Sequence, residues 1–227
     1  MSLKLVSVNI EGQKHLGKVR EFLVREDGDI VCLMEVRKSD LTVLLVEYPH
    51  VLFTPNSRMS DGELLGLCVA SRAPQLAPRV LCADNLDPTF IPDYRADVGV
   101  HRPVVQLATI EGIRLGVTHF TWTPMMSETE KQKEHVANLL VKLAGEEVVL
   151  VGDFNIPRGN STYQKLADVY RDNIPPEVKS TIDWELHRAK REGREKFEVV
   201  VDYVWSTPGY RVQNVRVVSG VSDHCAV

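Results

Sequence analysis

No apolar run in the 227 residues approaches the roughly 20 that a membrane helix needs, so a spanning segment is not expected. Basic surplus is also missing: 27 Lys and Arg stand against 31 Asp and Glu, for a net charge of -4. Proteins that grip long nucleic acids non-specifically do so through clustered cations facing phosphates. The acidic balance therefore argues against a long duplex as the main ligand. Cysteine is scarce. Cys32, Cys68, Cys82 and Cys225 form no Cys-x-x-Cys pair, and three of them sit in or beside apolar strand-like runs. Buried reduced thiols are expected rather than disulfides or zinc. There is no repeat, low-complexity tract or linker, so residues 1–227 are expected to form one domain. Met1-Ser2-Leu3-Lys4 enters a strand-like run at once. No signal peptide and a cytoplasmic location are therefore expected. What is present is ordinary for a globular chain: 44% apolar and 26% charged residues, which excludes disorder and fibrous classes.

Residues 3–8 alternate and predict a strand. Residues 13–26 place Leu16, Val19, Phe22 and Leu23 on one helical face, with Gly28 as the stop. Residues 29–34 form the short apolar run of a strand covered on both faces. A helix is predicted over 38–47 and strands over 50–54, 65–71 and 79–83, the last two as a pair. Residues 84–97, with Pro88 and Pro92, predict a loop; 98–110 and 113–119 predict a hairpin turning at Glu111-Gly112. Ser127 with Glu130 predicts a capping box, opening a helix with a stripe of Val136, Leu139, Leu140 and Leu143 and a stop at Gly145. A buried strand is predicted over 148–151. Ser161 with Gln164 predicts a second box before a helix bearing Leu166, Val169 and Tyr170, and strands are predicted over 199–206 and 211–219. Strands outnumber helices and many neighbours join as hairpins. The pattern predicts a mixed sheet, or two packed sheets, with helices outside.

Polar residues gather where strands end: Asn9, Glu35, His119, Asp153 with Asn155, and Asp223 with His224, while Asp202 lies near a strand start. Asn9, Glu35, Asp153, Asn155 and Asp223 offer oxygen acceptors and amide donors, without a Cys/His pairing suited to zinc. Such a set suits Mg²⁺, which takes one or two protein carboxylates and keeps its waters. A carboxylate such as Asp202 beside His224 would fix the imidazole tautomer and favour its cation. These are the parts of metal-assisted attack of water on phosphorus.

In chain order, Ser7-Val8-Asn9, Cys32-Leu33-Met34-Glu35-Val36, Gly66-Leu67-Cys68-Val69-Ala70-Ser71-Arg72, Arg102-Pro103, Thr118-His119-Phe120, Gly152-Asp153-Phe154-Asn155, Val201-Asp202-Tyr203-Val204 and Ser222-Asp223-His224 resemble the endonuclease/exonuclease/phosphatase superfamily. That group includes apurinic-site endonucleases, deoxyribonucleases, neutral sphingomyelinases, inositol-polyphosphate 5-phosphatases and tyrosyl-DNA phosphodiesterases. The resemblance covers nearly the whole chain. It implies a four-layer α/β/β/α sandwich of two packed mixed β-sheets flanked by helices. It implies Glu35 as principal Mg²⁺ carboxylate, with Mn²⁺ as a substitute ion and Asn9 and Asp223 as helpers. Asp153 would position or deprotonate the attacking water, Asn155 would donate to that water or to the developing charge, and Asp202 and His224 would form a dyad. His119 would contact phosphate or leaving group.

Departures from the family are few. Val8 stands where many members have an aromatic, no Arg precedes the Val201-Asp202 pair, and the chain stops three residues past His224. Long duplex-gripping insertions and an added lipid-binding segment are missing. The expected function is hydrolysis of phosphodiesters or phosphomonoesters by in-line water attack, on a small or single-stranded phosphate ester and by a monomer. Two alternatives stay open: repair of abasic or end-blocked DNA, and a silent binding module on the same fold. Other features are left with two readings each. Arg102 is structural or faces substrate. Residues 120–126 are an apolar rim or a packed loop, and 187–196, with five Lys/Arg against two Glu, are a basic flap or a solvated face. His15, His50 and His135 are expected at the surface, Tyr203 and Trp205 in the core.

Overall fold

A computed structural model describes residues 2–94 and 101–227. The end of the loop expected over 84–97 and the start of the strand expected over 98–110 lie outside the described residues. The first sheet holds β1 (Leu5–Asn9), β2 (Ile30–Arg37), β3 (His50–Arg58) and β4 (Leu64–Ser71), in the order β1-β2-β4-β3. The second holds β5 (Leu76–Cys82), β6 (Val104–Ile110), β7 (Ile113–His119), β8 (Val149–Asp153), β9 (Arg171–Asp172) and β10 (Asp202–Ser206), in the order β5-β6-β7-β8-β10-β9. Both are mixed: β1 runs parallel to β2 and β7 to β8, and the other pairs are antiparallel.

The alternation of side chains builds the layers. On β2, Ile30, Cys32 and Met34 pack into the cluster shared with the second sheet, while Val31 and Leu33 pack into the cluster holding Val19, Phe22 and Leu23 of α1 (Leu16–Glu26). Leu67 and Val69 of β4 face inward in the same way, Cys68 and Ala70 outward. The outer face of the second sheet is covered by α3 (Glu130–Lys142) through Val136 and Leu139 and by α4 (Ser161–Ala167) through Leu166. The result is the expected α/β/β/α sandwich. Short α2 (Leu41–Leu44) and α5 (Arg188–Arg191) complete the helices among the described residues, of which no helix is long and apolar enough to cross a membrane. All four cysteines are buried and unpaired.

Several local expectations are corrected. No strand forms over 211–219. Val212, Val215 and Val217 lean on the core, but the one pairing is an isolated bridge from Val218 to Ala226. β4 and β5 belong to different sheets. The helix over 38–47 shrinks to a 3₁₀ turn at Lys38–Asp40 and α2. The cap of α3 is Thr129, whose Oγ1 accepts from the Gln132 amide, whereas Ser127 donates to the Pro124 carbonyl. The cap of α4 is Asn160, and Ser161 donates to Glu128. Each true cap sits one or two residues from the predicted one because the cap must combine extended φ/ψ with an oxygen aimed at the first free amides. Val169 is exposed, while His15 and His135 are buried against Glu11 and Thr121.

Candidate active site

Register alone assembles three of the site residues. Across the parallel β7/β8 pair His119 lies opposite Asp153, and across the antiparallel β8/β10 pair Asp202 lies opposite the same Asp153. Side chains in register point to one face, so His119, Asp153 and Asp202 form a row on the second sheet. Gly152 permits this: its φ is 129°, and a Cβ there would stand 2.0 Å from the Thr118 carbonyl oxygen.

The first sheet supplies the opposite wall. Asn9 ends β1, and its Nδ2 donates to Asp153 Oδ2 and to Glu35 Oε1, both at 3.2 Å, joining the sheets. Glu35 lies where the β2/β4 register slips between Leu33 and Val36, with φ at 53°. A bulge of this kind re-aims a side chain that strict alternation would send elsewhere. A left-handed glutamate costs on the order of 1 kcal/mol or more, strain of the kind held at functional sites. Asn155 is also left-handed, at 53°; its amide N–H donates to Asp153 Oδ1 at 2.9 Å, and its Nδ2 donates to the Phe120 carbonyl at 3.1 Å.

The C-terminal segment brings the last two residues. Asp183 N donates to the Asp223 carbonyl and Cys225 N to the Thr181 carbonyl, clamping 223–225 to the strap 181–183. His224 Nδ1 then sits 2.9 Å from Asp202 Oδ2, and its Nε2 lies 3.7 Å from Asp153 Oδ2. His119 Nε2 lies 3.4 Å from the same Asp153 oxygen and 3.8 Å from Glu35 Oε1. Glu35, His119, Asp153, Asn155, Asp223 and His224 line one cleft of about 570 Å³, with Asn9 and Asp202 buried behind it. All eight predicted site residues are therefore brought together. Arg102 is not among them: it is buried against Asp84 and the Leu86, Asp87 and Phe90 carbonyls, a structural anchor.

Burial pushes Asp153 up to about 7, with Asp202 adding to the rise and His224 opposing it. Burial also lifts Asp223 to about 7, helped by Glu11 and Glu35, and raises Glu35. His224 is raised well above its ordinary value: burial opposes its charge, but Asp202 and Asp153 outweigh that. His119 is held well below, by burial first and then by His101 and His224, so it is a neutral imidazole. One cation and one neutral ring thus flank Asp153.

A divalent cation fits this donor set. Glu35, Asp223 and Glu11 crowd one cleft, and two of the three are raised by burial and mutual repulsion, a state that a hard cation relieves. Asp153, Asp202 and His224 also place one donor atom each within 4.8 Å of one another. Within that group the 2.9 Å contact is a hydrogen bond of the dyad, which leaves Glu35 and Asp223, aided by Asn9, as the better oxygen site.

Three supporting residues were not legible in the sequence. Gln132 Nε2 donates to the Thr121 and Asn155 carbonyls, tying together the loops that follow β7 and β8. Thr181 Oγ1 accepts from the Val201 and Asp202 amides. His101 stacks on His119 with ring centroids 3.7 Å apart and donates to the Phe120 carbonyl at 2.7 Å. Each works through a backbone partner distant in sequence, and no motif marks it.

A model of the endonuclease/exonuclease/phosphatase family matches residues 6–224. No curated protein matches the chain by sequence. Among solved structures, a 3′ phosphatase from Neisseria bound to product DNA hairpin is 18% identical with a TM-score of 0.71, covering 99% of this chain and 97% of that one. A mannosyl-6-phosphatase from Bacteroides thetaiotaomicron is 14% identical at 0.71, with the same coverage. An endonuclease/exonuclease/phosphatase from Beutenbergia cavernae is 21% identical at 0.69, covering 99% of this chain and 69% of that one. At these identities the likeness establishes the fold.

Proposed function

The chain belongs to the endonuclease/exonuclease/phosphatase family, and from that premise we propose that it hydrolyses phosphodiester or phosphomonoester bonds by in-line attack of water. The substrates are small or single-stranded phosphate esters, and residues 1–227 act as one cytoplasmic domain, a monomer. The observation that carries this is the meeting of the His119–Asp153–Asp202 row with His224, Glu35 and Asp223 in one cleft.

Glu35, with Asn9 and Asp223, would hold Mg²⁺ or Mn²⁺, which supplies positive charge for the phosphoryl oxygens. Asp153 takes the proton from water; its raised affinity for a proton suits a base working near neutrality. Asn155 is locked by its own amide to Asp153 and by its side chain to Phe120, so it holds the water or the developing charge at a fixed place. Asp202 accepts a hydrogen bond from the Nδ1–H of His224, leaving the Nε2–H of the cation for a non-bridging oxygen. His119, neutral, donates to phosphate or leaving group. Positioning and charge stabilisation are the main demands of phosphoryl transfer, and these groups meet both.

The test is turnover of bis(p-nitrophenyl) phosphate with Mg²⁺ or Mn²⁺, with and without EDTA. Metal-dependent hydrolysis is expected, and Asp153→Ala should lower kcat by roughly a thousandfold, as loss of a general base does. No metal-dependent turnover would favour a silent binding module. A second reading, processing of abasic or blocked DNA ends, draws on the Neisseria relative solved with a DNA hairpin. Steeply salt-dependent affinity for an abasic duplex would support it over a small-molecule substrate.

A further inference from the structure

The segment after β7 is held more firmly than a connecting loop requires. The Phe120 amide donates to the Asp153 carbonyl at 2.7 Å, and its carbonyl accepts from His101 and Asn155. The Thr121 carbonyl accepts from Gln132, its hydroxyl meets His135 Nδ1 at 2.7 Å, and Thr123 is buried. Between the two buried threonines, Trp122 lines the cleft that holds Glu35, Asp153 and His224. Two residues beyond Thr123 the backbone is strained: Met125 and Met126 both adopt positive φ, at 52° and 55°, with Met125 exposed at 88% and Met126 lining the cleft.

The aromatic residues divide sharply. Phe120, Phe154, Tyr163, Tyr203 and Trp205 pack against one another, and Trp184 packs against Phe197. Trp122 has no aromatic partner among the described residues, is partly exposed, and lines the cleft. Arg188 lines the same cleft, exposed and without a carboxylate partner among the described residues.

We propose that Trp122 is a preorganised stacking platform for a nucleobase next to the scissile phosphate, so that the phosphoesterase read above takes a nucleotide or the unpaired end of a strand. This rests on that reading. Base stacking on an aromatic side chain tolerates any sequence and needs no pairing edge, so it suits a single strand. Arg188 is the group to meet a flanking phosphate. A lipid chain is disfavoured, because the apolar lining of the cleft, Met59, Leu65 and Met126 among it, shares that cleft with Glu35, Asp153, Asp223 and Arg188. A sugar is the rival, and the test separates it.

The full chain is assayed on two short single-stranded DNAs ending in the same phosphodiester, one with its terminal base and one abasic there. KM is expected to be roughly tenfold lower with the base. Trp122→Ala should bring that ratio near one, and Trp122→Phe should keep most of it. A wild-type ratio near one with both substrates cleaved overturns the proposal and leaves the phosphoesterase standing. If neither is cleaved, these strands are not substrates, the phosphoesterase reading is decided by bis(p-nitrophenyl) phosphate, and binding decides the platform. Thymidine 3′-monophosphate should then quench tryptophan fluorescence saturably in the wild type and not in Trp122→Phe. No quench, or an equal quench by mannose 6-phosphate or inorganic phosphate, overturns it.

Discussion

At the scale of single residues, Asp153 is the focus. Asn9, His119 and His224 all lie within 3.7 Å of its Oδ2, and the Asn155 amide holds its Oδ1. Burial, with Asp202 adding, pushes its carboxyl up to about 7. As a base it works unprotonated, so kcat/KM should fall as pH drops through that value. A bound cation stabilises the carboxylate and moves this acid limb lower. A pH profile at saturating Mg²⁺ checks this: a limb at or below about 7 is expected, whereas activity that rises as pH falls through 7 would exclude Asp153 as the base. The site residues were legible because each sits in a short motif, several of them at a strand end. His101, Thr181 and Gln132 were not, because they act through carbonyls and amides remote in sequence.

At the scale of elements, backbone geometry decides what local pattern cannot. Both helix caps were predicted in the right neighbourhood and on the wrong residue. Thr129→Ala should cost about 1 kcal/mol and Ser127→Ala much less, measured as urea midpoints. Equal effects would return the cap to Ser127. The close approach of β7 and β8 depends on Gly152. Its alanine variant brings a Cβ to 2.0 Å from the Thr118 oxygen at a φ that suits glycine, and should cost more than about 4 kcal/mol. A near-normal melting temperature for Gly152→Ala would mean that the parallel pair can separate without loss. The 211–219 segment carries valines at strand-like spacing and still forms no strand, because a strand needs a partner edge as well as a pattern.

At the scale of the whole molecule, the cleft lies between two sheets. Glu35 and Asn9 come from the first, Asp153 and Asp202 from the second, and Asp223 with His224 from the C-terminal segment. A cation held there clasps parts that are far apart in the chain. At 100 times its dissociation constant Mg²⁺ should stabilise the fold by about 2.7 kcal/mol, or roughly 5–10 °C in melting temperature for a chain of this size. Glu35→Gln should remove that increment. It should not lower the melting temperature in EDTA, since burial raises the Glu35 carboxyl and its ionisation therefore opposes folding at neutral pH. An Mg²⁺ shift that survives Glu35→Gln would place the ion elsewhere.

The sequence by itself determined the apolar run of β2, which calls for cover on both faces, and the chemistry of the site motifs, Asn9, Glu35, Asp153 and His224 among them. Those features are local: period, residue type and position along one strand. Tertiary structure alone decided that Glu35 turns at a bulge into the cleft, that Asp202 lies opposite Asp153, that Arg102 is an anchor, and that His15 and His135 are buried. Register, bulges and burial arise from partners that are tens of residues away or more, and a single strand carries no record of the neighbour it will pair with.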